Sequence, residues 1–311
     1  MTDHRRGADP KDAAPRGASS DAASSSKPRS KRAAILRRTL TGGGLALVVT
    51  LLIVVADELG SSLPVLGVAA LLAAASVWEL GGLGSLALAP RRVGLWAALV
   101  AVVGLAWLGV EGSISRGALG GLLVYGAAGA AGLVGHSAAG GREAGRLART
   151  GLLALWVAPA LPLMAWIHLD HGTRGLVLLI VLSKVGDIAG YYGGNAFGRH
   201  HPFPHLSPGK TTEGCLASLV GGAVCGAALG AANLLPAIRE GLSPTLVGLG
   251  LGVVINLAAQ AGDLVESLAK RRSGVKDSSA ALGASGGFLD VVDSLLLTVP
   301  VALLAWGLVF V

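Results

Sequence analysis

The segment from residue 266 to residue 277, ESLAKRRSGVKD, holds a dense group of charges in an otherwise apolar chain. If it continues a helix from the residues before it, Asp263, Glu266 and Lys270 share one face, because they lie three and seven positions apart. Four cations occur in the segment: Lys270, Arg271, Arg272 and Lys276. Cations gathered in this way are suited to neutralising phosphate groups.

Two further acids, Asp290 and Asp293, are three positions apart at the start of the last apolar segment. The connection GASGG, residues 283–287, is flexible enough to bring them to the end of the charged helix. Four carboxylates on converging helices would bind a hard divalent cation, with magnesium as the natural candidate. Metal and cations at a phosphorus centre predict phosphoryl or nucleotidyl transfer. The alternative left open is a basic cytoplasmic anchor whose charge the acids balance.

A second polar stretch, LSPGKTTEG at 206–214, places Lys210 after a Pro-Gly turn, where its ammonium could meet a phosphate. Asp187 lies in a segment that is otherwise apolar, where a carboxylate costs about 2.5–3.5 kcal/mol and is usually paired, ion-bound or functional. Three nearby histidines fit either a metal site or a solvated loop: His200, His201 and His205. The loop GGNAFG, residues 193–198, could let backbone amides approach a phosphate, but a flexible turn is the favoured interpretation.

The composition predicts an all-α membrane protein that positions these residues. Of 311 residues, 52% are hydrophobic, 14% are charged and 48 are glycine. The mean hydropathy of +0.66 is too high for an ordinary soluble domain. We expect about nine transmembrane helices, at 40–56, 63–80, 93–110, 117–135, 150–168, 174–192, 215–235, 243–262 and 287–310.

The distribution of cations predicts the orientation of the bundle. Of 25 Lys and Arg residues, 21 fall in the segments 1–39, 81–92, 136–149, 193–214 and 263–286. The positive-inside rule therefore places these segments and the N-terminus in the cytoplasm. We expect three regions: a disordered basic tail at 1–38, N-terminal transmembrane helices at 39–182 and a C-terminal transmembrane catalytic region at 183–311.

The two polar stretches together resemble the phosphatidate cytidylyltransferase (CDP-diglyceride synthase) family. The family signature runs Ser-x-apolar-Lys-Arg, four residues, Lys-Asp, a glycine turn, then Asp-Arg-apolar-Asp. The residues here in register with it are Ser267, Lys270, Arg271, Lys276, Asp277, Gly286, Gly287, Asp290 and Asp293. DIAGYYGGNAFGRH and LSPGKTTEG add the matches Asp187, Ser207, Pro208, Lys210, Thr211 and Gly214. Two positions depart from the pattern, since Ser285 replaces the family His and Val291 replaces an Arg.

The resemblance implies a magnesium-dependent enzyme of the cytoplasmic membrane, with its active site on the cytoplasmic side, that joins CTP and phosphatidate to give CDP-diacylglycerol and pyrophosphate. By this resemblance, Asp263 and Asp290 hold magnesium, while Asp277, Asp293 and Asp187 support the metal network, bind a further cation such as K⁺, or shape the cavity. The phosphate-binding cations would be Lys210, Lys270, Arg271 and Lys276, with Ser207, Thr211 and Ser267 as further substrate-binding residues. A homodimer is a further expectation, and no nucleic-acid partner is expected.

Two alternatives stay open at the level of sequence. A CTP-dependent lipid kinase would use the same cations and metal to transfer a terminal phosphoryl group. A non-catalytic or transport relative would have lost activity together with the family His and Arg. The presence of Asp263, Lys276, Asp277, Asp290 and Asp293 favours an active enzyme.

Overall fold

Helices form the architecture of the part of the chain that the structure describes. The computed structural model describes residues 47–83, 157, 160–272, 274–275, 277–279, 281–282 and 286–311. Its helices are α1 (Leu63–Leu83), α2 (Leu163–Phe197), α3 (Thr212–Ala231), α4 (Pro244–Arg272), α5 (Phe288–Val292) and α6 (Leu295–Val309). Residues 47–58 are also helical. Within these ranges the β pairing is limited to one isolated bridge, between Ile238 and Phe310.

Five helices of the described region are long and apolar enough to cross a membrane, with α5 and α6 together making one of them. Four predicted spans are confirmed as helices: 63–80, 215–235, 243–262 and 287–310. The predicted spans 93–110 and 117–135 and the basic tail 1–38 lie outside the described residues. The total of nine spans and the division at residue 183, which falls within α2, therefore stay predictions.

Two helices differ in extent from their predicted spans. α4 continues ten residues beyond the predicted end at 262, because Asp263, Glu266 and Lys270 extend the helix as a polar face. The predicted spans 150–168 and 174–192 lie on the two sides of Gly172, where non-helical backbone interrupts α2. The flexible turn predicted at 193–198 is wrong for residues 193–197, because α2 continues as a helix to Phe197. Gly172 adopts a φ of 62° and a ψ of −165°, which bends the helix at a conformation that favours glycine.

α3 and α4 form the most extensive helix contact of the described region, and glycine lines both of its surfaces. Gly222 and Gly226 on α3 face Gly252 and Gly248 on α4. A Cβ at Gly226 would collide with the carbonyl of Gly248, and one at Gly252 would collide with that of Gly222. Small residues four positions apart allow the two backbones to approach closely. Close packing of this kind stabilises helix association in a membrane, where lipid provides no hydrophobic driving force.

A buried asparagine joins three helices beside this contact. Asn256 on α4 is fully buried. Its Nδ2 donates to the carbonyls of Gly252, at 2.7 Å, and Leu182 on α2, at 3.2 Å, and its Oδ1 accepts from Ser218 on α3 at 3.2 Å. Since each of these atoms would otherwise be unpaired in an apolar interior, the network fixes the relative positions of α2, α3 and α4.

The other end of α1 and α2 carries a separate polar contact. His168 on α2 is buried, and its Nδ1 lies 2.7 Å from the hydroxyl of Ser62, just before α1. Thr173 donates to Asp57 at 2.9 Å, and its hydroxyl is 3.4 Å from His168 Nε2. This contact joins residues 57–62 to the bend of α2. It lies at the opposite end of α1 from the predicted site.

The glycine contact predicts a difference between two neighbouring positions of α4. Gly252→Ala should lower the melting temperature in detergent, because its Cβ would push α4 away from the backbone of Gly222. Gly250→Ala is the matched control, since the space around Gly250 is open and alanine favours a helix over glycine by about 1 kcal/mol. Thermal unfolding followed by circular dichroism measures both. Equal melting temperatures for the two variants would contradict the contact.

Candidate active site

Two helices and one connecting segment bring predicted site residues together at one end of the bundle. α4 contributes Asp263, Glu266 and Lys270, the segment before α3 contributes Lys210, and α5 contributes Asp290. Direct contacts join Lys210 to Asp263 and Lys270 to Asp290. These contacts join different segments of the chain, because Lys210 and Asp263 are 53 positions apart and Lys270 and Asp290 are 20 positions apart.

Lys270 is the centre of this network. Its Nζ lies 2.7 Å from Glu266 Oε2, one turn earlier on α4, and 2.6 Å from Asp290 Oδ1 on α5. The side chains of Lys270, Glu266 and Asp290 are 11%, 2% and 9% exposed. The ammonium therefore compensates two acids that water does not reach freely, and it fastens α5 to the end of α4.

The second oxygen of Asp290 is held by the turn that precedes α5. Asp290 Oδ2 accepts hydrogen bonds from the backbone N–H of Gly287 at 2.6 Å, and from the N–H and hydroxyl of Ser278, each at 2.9 Å. Gly286 has a φ of 80°, a left-handed conformation that explains why glycine occupies the turn. Oδ2 of Asp290 thus has three donors within reach and Oδ1 is held by Lys270, so these neighbours set the orientation of the carboxylate.

Lys210 and Asp263 form the second pair. Lys210 Nζ lies 3.2 Å from Asp263 Oδ2 and donates to the carbonyl of Gln260 at 3.3 Å. The Gln260 side chain donates in turn to the carbonyl of Cys215 on α3 at 3.2 Å. These contacts attach the 206–211 segment to the face of α4 that carries the acids.

A third lysine, which the site prediction did not include, lies on α2. Lys184 Nζ is 3.1 Å from both Asp187 Oδ2 and the hydroxyl of Ser294. Asp293 Oδ1 accepts from the Ser294 N–H at 2.6 Å. Lys184 therefore ties α2 to the junction of α5 and α6, and it places Asp187 and Asp293 near one cation.

The acids also act on one another. Asp263 interacts electrostatically with both Asp187 and Asp293, so three carboxylates from α2, α4 and the α5–α6 junction lie within reach of each other's charge. Asp263 Oδ1 is buried and has no hydrogen-bond partner in the described part of the chain. A cation would satisfy this oxygen and reduce the repulsion between the carboxylates.

The donor set is compatible with magnesium although it is not a closed cage. Among the described residues, no three His, Cys, Asp or Glu side chains form a ready metal-binding group. Magnesium commonly needs only one or two carboxylates, with water and substrate phosphates completing its octahedron. The orphaned oxygen of Asp263 supplies such a ligand, whereas Asp290 would have to exchange one of its present hydrogen bonds.

The LSPGKTTEG segment forms a turn and then caps α3. Ser207 accepts at its carbonyl from the Lys210 N–H at 3.0 Å, which closes the turn. Thr211 caps α3, because its hydroxyl accepts from the Gly214 N–H at 3.1 Å. Glu213 binds the ring of His200 at 2.6 Å and also accepts from backbone N–H groups at 199 and 200. This contact gives His200 a role in ordering the loop.

The remaining predicted residues are less constrained by the structure. Arg271 donates to the carbonyls of Leu206 and Val275 and joins the end of α4 to the 206–211 segment. Ser267 is half-buried on α4, and Asp277 is exposed. Lys276 and Ser285 lie outside the described residues, so their predicted roles stay predictions.

Sequence reasoning missed one acid of the network. Glu79 on α1 is 7% exposed and accepts four hydrogen bonds, from Ser278, Ser279, Phe288 and Leu289. The signal was a single carboxylate inside the apolar run ASVWELGG. A charge in an apolar helix costs free energy, so this position could have been predicted to be functional. The run itself does not indicate the partners of Glu79, which lie some 200 residues away.

Comparison with known proteins points to one family. The model of the family described as "Cytidylyltransferase family" matches residues 36–309, which is most of the chain. The match includes every described helix.

Three curated relatives show what the chain is similar to. It is 35% identical over 142 residues to a phosphatidate cytidylyltransferase of Chlamydia trachomatis, covering 45% of this chain and 46% of that protein. It is 34% identical over 165 residues to one of Pseudomonas aeruginosa, covering 52% and 59%. It is also 38% identical over 152 residues to the uncharacterized protein YnbB of Escherichia coli, covering 48% of each. The chain thus matches about half the length of these relatives.

The position of Lys270 between two acids predicts a large effect on stability. Lys270→Met should lower the free energy of unfolding by about 3–5 kcal/mol, because Glu266 and Asp290 would be left without their shared cation. Thermal unfolding of the purified protein in detergent would show this as a lower melting temperature. The double variant Glu266→Gln, Lys270→Met should recover part of the loss. A Lys270→Met protein as stable as wild type would contradict the described network.

Proposed function

The chain belongs to the cytidylyltransferase family, and we propose that it transfers CMP from CTP to phosphatidate, giving CDP-diacylglycerol and pyrophosphate. The names of the Chlamydia trachomatis and Pseudomonas aeruginosa relatives support this substrate pair. The observation that carries the proposal is the pairing of signature residues from different segments, Lys210 with Asp263 and Lys270 with Asp290. Asp293 interacts electrostatically with Asp263 and with Glu266, one acid from each group. In the proposed reaction, a phosphate oxygen of phosphatidate attacks the α-phosphorus of CTP. The bond to the β-phosphate breaks, and pyrophosphate leaves.

The lysines of the network are suited to holding the phosphates. An ammonium carries three N–H donors, and two acceptors are shown for each of Lys184, Lys210 and Lys270 among the described residues. One donor of each is thus left for a phosphate oxygen. Asp263 and Asp290 would hold magnesium, whose charge would offset the negative charge that develops on the phosphates.

The departures at Ser285 and Val291 are compatible with this chemistry. The phosphate of phosphatidate is already an anionic oxygen nucleophile, so the reaction needs no strong protein base at the position of the family His. Val291 is half-buried on α5, next to Asp290. The lost arginine charge at this position could be replaced by Lys184, which reaches the α5–α6 junction through Ser294.

A lipid substrate also fits the surroundings of the network. An apolar cavity of about 460 Å³ opens beside Glu79, with Ala74, Trp78 and Phe288 in its walls. Glu79, in the wall of this cavity, contacts Ser278, and Ser278 contacts Asp290. A headgroup bound by the lysines would then have apolar space nearby for the rest of the lipid.

The orientation, ions and assembly of the enzyme are part of the same proposal. The excess of Lys and Arg in the predicted cytoplasmic segments supports a site at the cytoplasmic face of the membrane, together with a cytoplasmic N-terminus. A second cation such as K⁺ would suit the acidic group of Asp187, Asp263 and Asp293. A homodimer stays a proposal based on the family resemblance.

The first experiment is a product assay. Purified protein in detergent, incubated with phosphatidate, labelled CTP and magnesium, should form a cytidine-labelled lipid and pyrophosphate, and a chelator should prevent both. A lipid kinase would instead give CDP and a phosphorylated lipid. No consumption of CTP by folded protein would favour the non-catalytic alternative and would make Ser285 and Val291 the decisive departures.

Two variants test the assigned acids. Asp263→Asn and Asp290→Asn should each reduce magnesium-dependent turnover by at least about a hundredfold, because each removes a negative charge that would bind the metal and that holds a neighbouring lysine in place. Glu240→Gln, in the exposed connection between α3 and α4, is the matched control and should keep wild-type activity. Near-normal rates in either Asn variant would defeat the assignment of that residue.

A further inference from the structure

Glu79 makes an unusually complete set of contacts for a single carboxylate in an apolar helix. Its Oε1 accepts from the hydroxyl of Ser279 at 2.6 Å and from the Phe288 N–H at 3.0 Å. Its Oε2 accepts from the hydroxyl of Ser278 at 2.7 Å and from the Leu289 N–H at 2.9 Å. Both oxygens are therefore satisfied by the segment that leads into α5, and α1 is fastened to a segment about 200 positions later in the chain.

Ser278 connects Glu79 directly to Asp290. Its hydroxyl is 2.7 Å from Glu79 Oε2 and 2.9 Å from Asp290 Oδ2. A serine hydroxyl has one proton, so it donates to only one of these carboxylates at a time. The Ser278 N–H also donates to Asp290 Oδ2, so the residue that Glu79 holds is the one that orients Asp290.

The turn is packed against Glu79 too closely to shift without loss of these contacts. A Cβ at Gly287 would collide with both carboxylate oxygens of Glu79 and with the hydroxyl of Ser278. Gly287 also donates its N–H to Asp290 Oδ2 at 2.6 Å. The same short turn therefore contacts Glu79 on one side and Asp290 on the other.

We propose that Glu79 is a positioning residue, which holds the 286–289 turn at the start of α5 and, through Ser278, sets the orientation of Asp290 toward Lys270. The role in turnover rests on the proposed cytidylyl transfer. Glu79 lines the apolar cavity, but its connection to Asp290 runs through Ser278. It acts by fixing the carboxylate whose other oxygen binds Lys270 at 2.6 Å. Orientation of this kind affects the reaction step more than substrate affinity, because small displacements of charge are felt most strongly in the transition state.

The two serines provide a matched pair for a kinetic test. Both hydroxyls donate to Glu79, but only Ser278 is shown in contact with Asp290 among the described residues. Glu79→Gln should lower kcat about tenfold and Ser278→Ala about fivefold, with the KM for CTP changed by less than about threefold. Ser279→Ala should lower kcat by less than about twofold, since the link to Asp290 remains.

Amide hydrogen exchange supplies a readout that does not need turnover. In the full-length protein in detergent, Glu79→Gln should speed exchange in the peptide that contains the Phe288 and Leu289 N–H groups, because the NH₂ that replaces one carboxylate oxygen cannot accept from the N–H group that it faces. Ser76→Ala is the control on the same helix. Its hydroxyl is buried and donates to the Leu72 carbonyl within α1, so its loss should not change exchange at 288–289.

The outcomes separate this inference from the proposed function. Equal kcat values for Ser278→Ala and Ser279→Ala, or wild-type kcat for Glu79→Gln, would overturn the positioning role. Unchanged exchange at 288–289 in Glu79→Gln would overturn the hold on the turn. If the wild-type protein forms no cytidine-lipid, the proposed function is wrong, and so is the role of Glu79 in turnover. The exchange measurement still tests whether Glu79 holds the turn.

Discussion

The pairing of Lys270 with two nearly buried acids is the constraint on which the site depends. A charge removed from water is stable only when partners compensate it at short range. Glu266 can approach Lys270 from the same helix, but Asp290 can do so only if α5 begins at one particular place beside α4. The position of α5, the turn before it and the direction of α6 are therefore consequences of one ion network.

The glycine contact between α3 and α4 also helps to position the charged residues of the site. Because Gly222, Gly226, Gly248 and Gly252 allow the two backbones to touch, the segment that caps α3 lies close to the polar face of α4. Lys210 can then reach Asp263 with its flexible side chain. Larger residues at this contact would separate the two halves of the site before any catalytic residue was changed.

α1 extends the network into the N-terminal part of the described chain. Buried N–H groups at the start of a helix need acceptors, and Glu79 supplies two of them while also binding two serine hydroxyls. The carboxylate is in turn stabilised by the two N–H groups and by Ser279, and it shares the Ser278 hydroxyl with Asp290. Apolar helix packing alone would not specify the turn before α5 so closely, whereas a polar contact of this kind has one geometry.

The sequence by itself determined the class of the protein and the content of its polar face. Apolar runs predicted membrane helices, the spacing of Asp263, Glu266 and Lys270 predicted one helical face, and the signature pointed to the family, because these features depend on local periodicity and residue type. Only the tertiary structure decided which acid meets which cation and that Glu79 belongs to the network. Local patterns do not encode distances between segments 200 residues apart, since these distances are set by how the helices pack.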